Sequence, residues 1–116
     1  MRRNNMDYSK KYRAIVKRPD EEYGHVCNMS FRLENLQKVV GGYIETLSFM
    51  EEGIPPFIII CNEEGKIQGL EENMKLPGGI DVLVGTIIVV GSDEEDFTEC
   101  HLEFKEWKEL VDRWQK

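Results

Sequence analysis

The sequence lacks an apolar run of roughly 18 residues, the length that a membrane-spanning helix needs. It also lacks the glycine-rich phosphate-binding fingerprints of P-loop and dinucleotide-binding proteins. The basic N-terminus is not followed by the apolar segment of a secretory signal. These absences argue against a membrane span, a nucleotide enzyme of either type and signal-directed secretion. We therefore expect a cytoplasmic protein.

Cysteine and histidine are scarce, with three Cys and two His in 116 residues. An odd number of widely spaced cysteines is a poor disulfide framework and favours free thiols in a reducing compartment. Structural zinc sites use pairs of ligands separated by a few residues. Here a single residue separates His25 from Cys27, Cys100 is adjacent to His101, and Cys61 ends an apolar run. We expect neither a metal nor a cofactor.

Charge is distributed unevenly along the chain. Residues 1–18 carry seven Lys or Arg and one Asp, a net charge of +6. Because the whole chain carries −7, residues 19–116 carry −13. We expect a flexible basic arm over residues 1–11 and a single domain over residues 12–116. The acidic body should repel nucleic acid, so direct binding to nucleic acid is expected only through the arm.

The adjacent glycines Gly41 and Gly42 follow a stretch with helical periodicity. That stretch predicts a helix over residues 31–40, with Ser30 as its N-cap. Phosphates bind at helix N-termini, whereas the groups exposed at a helix C-terminus are carbonyls. The glycines are therefore predicted to end the helix, with Gly41 at positive φ. Its apolar stripe comprises Leu33, Leu36, Val39 and Val40.

The rest of the chain predicts strands and a second helix. Gly65 is expected in the left-handed region of a bulged hairpin, and Gly85 to mark a bulge or close packing. Residues 92–97 are expected to form an acidic turn. The fold class is α+β, a mainly antiparallel sheet with two helices packed against it. The further elements are strands near 12–17, 25–29, 43–49, 57–61, 66–70 and 82–90, and a helix over 103–115.

Three stretches together resemble the DUF3846 family, a bacterial and phage domain of unknown function. They are LENLQKVVGGYIETL, IICNEEGKIQGLEEN and VGTIIVVGSDEEDF, and the resemblance covers about residues 12–105. The chain departs from the family pattern after Leu70, where the family has a proline and then Asn-Arg. Here Glu71, Glu72, Asn73 and Met74 follow instead. The resemblance implies an α+β domain and a small accessory protein of a phage or mobile element.

Candidate site residues cluster around one strand. On strand 43–49, alternation places Glu45 on the same face as aromatic and aliphatic side chains. A carboxylate there should reach a hydrogen-bonding partner, because an unpaired buried charge is costly. The expected partners are Tyr43, Asn62, Asn73 or an arginine. The candidate binding residues are Tyr43, Glu45, Asn62, Glu63 and Asn73, and none is assigned a catalytic role.

Two classes of function are compatible with this sequence. The first is a non-catalytic module that binds another protein, with mimicry of nucleic acid as a variant that uses the acidic body. The second is a small-molecule-binding or hydrolytic site around Glu45, Asn62 and Asn73. A deep pocket lined by these residues would favour the second class, and a flat acidic face the first.

Overall fold

The computed structural model describes residues 7–93 and 96–116. The helices are α1 (Leu33–Val40) and α2 (Phe104–Trp114), and a short 3-10 turn covers Pro77–Gly79. The strands are β1 (Tyr12–Lys17), β2 (His25–Met29), β3 (Ile44–Phe49), β4 (Phe57–Asn62), β5 (Glu72–Lys75), β6 (Val82–Val84), β7 (Ile87–Asp93) and β8 (Asp96–Thr98).

The main sheet has the strand order β2-β1-β7-β4-β3, and β8 pairs with the end of β7. Every strand pair in it is antiparallel. β5 and β6 form a separate two-stranded sheet. The predicted α+β class, with a mainly antiparallel sheet and two helices, is confirmed.

The helices cover opposite faces of the sheet because the side chains of each strand alternate between two cores. Ile60 and Ile88 belong to the core that contains Leu36 of α1. Ile59 and Val89 belong to the core on the α2 side. That second core also holds side chains from α2 and from the small sheet: Met74, Leu83, Trp107, Leu110, Val111 and Trp114.

Helix α1 begins later than predicted and ends where predicted. It starts at Leu33 with Arg32 as its N-cap, and the Ser30 hydroxyl accepts a hydrogen bond from the Arg32 N–H at 3.2 Å. Ser30 is therefore not the N-cap. Gly41 has φ of 88°, and its N–H donates to the carbonyl of Gln37. The prediction that Gly41 ends the helix at positive φ is confirmed.

The predicted strand over residues 66–70 is wrong. The chain there forms successive turns, in which the Gln68 N–H donates to the Glu64 carbonyl. Both neighbours of β4 are already in place, β3 on one side and β7 on the other, so a hairpin partner has no free edge. Gly65 is not in the left-handed region, whereas Gly69 is, at φ of 72°.

The apolar stretch 82–90 is divided between two sheets rather than forming one strand. Gly85 breaks it with φ of 75°, and a Cβ at this position would lie 2.7 Å from Leu70 Cδ1. The expected close packing at Gly85 is confirmed. β6 before the break pairs with β5, for which no strand was predicted, and β7 after it enters the main sheet.

The acidic turn predicted over residues 92–97 includes residues 94 and 95, which lie outside the described residues. On either side of them, β7 and β8 pair as an antiparallel hairpin. Residues 1–6 of the predicted arm also lie outside the description, while the Tyr8 carbonyl accepts a hydrogen bond from Arg32 Nε at 3.1 Å. Within residues 7–93 and 96–116, neither helix is long and apolar enough to cross a membrane.

Candidate functional site

Three of the five predicted site residues line one depression of about 280 Å³ on the α2 side of the sheet. These are Glu45 from β3, Asn62 from the end of β4, and Glu63 from the turn that follows. Tyr43 and Asn73 are not part of its lining. The structure therefore brings the two carboxylates and one amide together.

The Asn62 side chain is buried and fully engaged within the protein. Its Nδ2 donates to the Val40 carbonyl at 3.2 Å and to Gln68 Oε1 at 3.0 Å. Its Oδ1 accepts from the Glu64 N–H at 2.8 Å. These bonds connect the end of α1 to the turn after β4, so the amide holds the wall of the depression.

Asn73 lies at the centre of a second internal hydrogen-bond network, which includes the buried Lys17. Its Oδ1 accepts from Lys17 Nζ at 2.7 Å, and its Nδ2 donates to the carbonyls of Lys17 and Gly85, each at 2.8 Å. The Lys17 residue is only 2% exposed, and its burial lowers the pKa of the ammonium. The sequence analysis missed Lys17. This residue lies two positions after Ile15 in β1, so the two side chains share one face of the sheet.

Glu45 lies on the predicted face of β3 but not in the predicted environment. Leu47 and Phe49 on this face pack against the core, and the Phe49 ring centroid is 5.1 Å from that of Trp114. Glu45 is exposed, and its carboxylate makes no hydrogen bond or ion pair with any described residue. The expected partner is therefore not found, because β3 is an edge strand and α2 contacts it at Phe49, away from Glu45.

The carboxylates around the depression are exposed to water. Glu63 and Glu64 are exposed like Glu45, and within the described chain their side chains have no hydrogen-bonding or ionic partner. Ile67 is 87% exposed on the same rim. We call Glu45, Glu63, Glu64 and Ile67 the acidic rim. The sequence analysis did not identify Ile67 as part of the site, because this residue lies in the stretch 66–70 that was predicted to be a strand.

Among the described residues that line the depression, Lys66 is the one basic side chain. Lys66 forms an ion pair with Asp81 across the depression, and this contact lowers the pKa of the Asp81 carboxyl. Because both side chains are more than half exposed, the pair contributes little to stability. Lys66 is thus paired with Asp81, and the three rim carboxylates have no cationic partner within the described chain.

The thiols do not provide a nucleophile. Burial, with the neighbouring Glu45 carboxylate as a smaller cause, raises the pKa of Cys61 to about 11. Burial also raises the pKa of Cys27 and of Cys100. A thiol with a raised pKa is protonated near neutral pH and therefore unreactive. In residues 7–93 and 96–116, no group of three or more His, Cys, Asp or Glu is placed to hold a metal.

We predict that Cys61 makes the protein less stable in alkali. The ordinary pKa of 9.0 applies in the unfolded chain, so unfolding releases a proton above pH 9 and stability falls as the pH rises towards 11. Between pH 8 and pH 10 this loss amounts to about 1 kcal/mol. Urea unfolding at both pH values measures it, and Cys61→Val should remove that part of the decline. An unchanged decline in Cys61→Val, relative to the wild type, would contradict the assignment.

A larger depression of about 440 Å³ lies on the α1 side of the sheet. Its lining includes Phe31 and Leu36 from the core of that side, together with Phe97 of β8. None of the predicted site residues lines it. The acidic rim is therefore the place where the sequence prediction and the structure coincide.

Comparison with known proteins identifies one family. The model of the family described as "Domain of unknown function (DUF3846)" matches residues 12–114. Neither the curated proteins nor the solved structures yield a significant match.

Proposed function

The chain belongs to the DUF3846 family, and we propose that it is a non-catalytic module that binds a protein with a basic surface. The observation that carries this proposal is the acidic rim, with its unpaired carboxylates beside an exposed isoleucine. An apolar side chain surrounded by charges suits a protein interface, because the apolar group adds burial and the charges select the partner.

Support for a binding role rather than a catalytic one comes from the internal bonds of the two amides. Asn62 and Asn73 already satisfy backbone groups, so neither is free to position a substrate. Glu45 is exposed, and no described residue hydrogen-bonds its carboxylate to orient it for acid–base chemistry. A small-molecule or hydrolytic site around Glu45, Asn62 and Asn73 therefore receives less support.

The charge of the chain suggests the class of partner. The −13 carried by residues 19–116 would attract a cationic surface and accelerate association at low salt. A nucleic-acid-binding protein presents such a surface. In this proposal the chain acts as an accessory protein of a phage or mobile element and occupies the nucleic-acid site of a host protein.

Charge reversal on the rim tests the proposal. We predict that Glu45→Lys combined with Glu63→Lys reduces capture of the partner from a native lysate at least about tenfold, the effect of losing roughly 1.4 kcal/mol. The melting temperature should change little, because exposed carboxylates without partners contribute little to stability. Quantitative mass spectrometry of the captured proteins gives the readout.

The matched control is the double variant Glu34→Lys with Glu109→Lys, which makes the same charge change. Both residues are exposed, and neither lines the depression beside the acidic rim. If this control loses the partner as completely as the rim variant does, net charge rather than the rim carries binding. Full capture by the rim variant would contradict the proposal outright.

A further inference from the structure

Within residues 7–93 and 96–116, strand β3 has one edge without a pairing strand. It is the last strand of the main sheet, and β4 pairs with its other side over all six residues. The Glu63 N–H donates to the Tyr43 carbonyl at 2.8 Å, so the backbone groups of Tyr43, Glu45, Leu47 and Phe49 point towards β4. Those of Ile44, Thr46 and Ser48 therefore point outwards.

This edge has few of the features that normally prevent pairing with another strand. Protected edges carry charged side chains, above all lysine, or a proline or a bulge. β3 contains one charged residue, Glu45, and neither lysine nor proline, and its register with β4 runs from Ile44 to Phe49 without a shift. Side chains at both ends are exposed and apolar, with Tyr43 at 68% and Met50 at 87%.

The sequence of β3 is complementary to itself in one antiparallel register. Pairing around Thr46 lets all three outward residues form hydrogen bonds, with Ile44 opposite Ser48 and Thr46 opposite Thr46 of the second copy. The same register sets Tyr43 opposite Phe49, and aromatic cross-strand pairs are stabilising.

The neighbouring registers are worse. Moving the pairing axis from Thr46 to Glu45 sets the two glutamates directly opposite each other, and like charges there are destabilising. Moving it to Leu47 removes one of the outward residues, Ile44, from the paired segment. Self-pairing is therefore best around Thr46.

We propose that two copies of this chain associate through β3, antiparallel and centred on Thr46, so that the two main sheets become one. The hydrogen bonds of this dimer come from the backbone groups of β3 and need no rim carboxylate, although Glu45 lies in the paired segment. The dimer is measured on the isolated chain, so its failure is distinguishable from a failure of the proposed partner binding. A pairing of short strands buries little surface, and the dimer is therefore reversible.

Sedimentation equilibrium of the full chain over a wide range of concentrations tests the proposal. The apparent mass should rise from one copy towards two for the wild type. Thr46→Lys should stay monomeric with an unchanged melting temperature, because the substitution sets two lysines face to face. Val26→Lys, on the opposite edge strand β2, is the matched control and should still dimerise.

A charge-swap experiment tests the register. Thr46→Lys and Thr46→Glu should each be monomeric alone, and their equimolar mixture should recover the dimer because position 46 faces itself. A wild type that stays monomeric overturns the proposal. So does a dimer that is lost in Val26→Lys but kept in Thr46→Lys, or a mixture that does not associate.

Discussion

Replacing Asn73 by Ala is expected to lower the free energy of unfolding by about 3 kcal/mol, because it leaves a buried ammonium short of acceptors. Lys17 Nζ then keeps only the carbonyl of residue 73, at 3.2 Å in the wild type. The carbonyls of Lys17 and Gly85 lose their donor as well. Urea unfolding at neutral pH measures the change.

The double variant Lys17→Met with Asn73→Ala identifies the cause. Methionine removes the buried charge but keeps a long side chain, so the double variant should be more stable than Asn73→Ala alone. This sign follows from the cost of an unpaired buried ammonium, which exceeds that of a lost neutral hydrogen bond. Equal or lower stability of the double variant would show that Lys17 is not the reason for the loss.

Replacing Asn62 by Ala is expected to lower the free energy of unfolding by about 2 kcal/mol, because one buried amide serves three groups. The change removes the donor to the Val40 carbonyl and the acceptor for the Glu64 N–H. The turn over residues 63–69 should open locally, so hydrogen exchange at Glu64 and Gln68 should accelerate.

The control for this prediction is Asn28→Ala, an exposed asparagine on strand β2. Its expected cost is within about 0.5 kcal/mol of zero, as for most surface substitutions. Equal stabilities of Asn62→Ala and Asn28→Ala would refute the structural role of Asn62. Both variants replace asparagine by alanine, one at a buried position and the other at an exposed position.

The sequence predicted the parts of the fold that local chemistry determines. Gly41 ends α1 because a left-handed residue after a helix needs no information from elsewhere in the chain. The error at 66–70 has a non-local cause, since β3 and β7 already occupy both edges of β4. The division at Gly85 depends similarly on Leu70, 15 positions earlier, packing over the backbone.

For the candidate site, too, the sequence predicted only the features that depend on neighbouring residues. Alternation along β3 gave the face of Glu45, but its exposure depends on how far α2 reaches across the sheet. The partners of Asn62 and Asn73 include Val40 and Lys17, which are 22 and 56 positions away in sequence. Such pairings follow from strand order, which a single sequence does not contain.

Carboxyl labelling with a carbodiimide and an amine, read by mass spectrometry, tests the acidic rim most directly. In the isolated chain Glu45, Glu63 and Glu64 should react readily, because their carboxylates are exposed and unpaired. With the captured partner bound, their labelling should fall while that of Glu34 and Glu109 stays constant. Unchanged labelling of the three rim carboxylates in the complex would contradict the account.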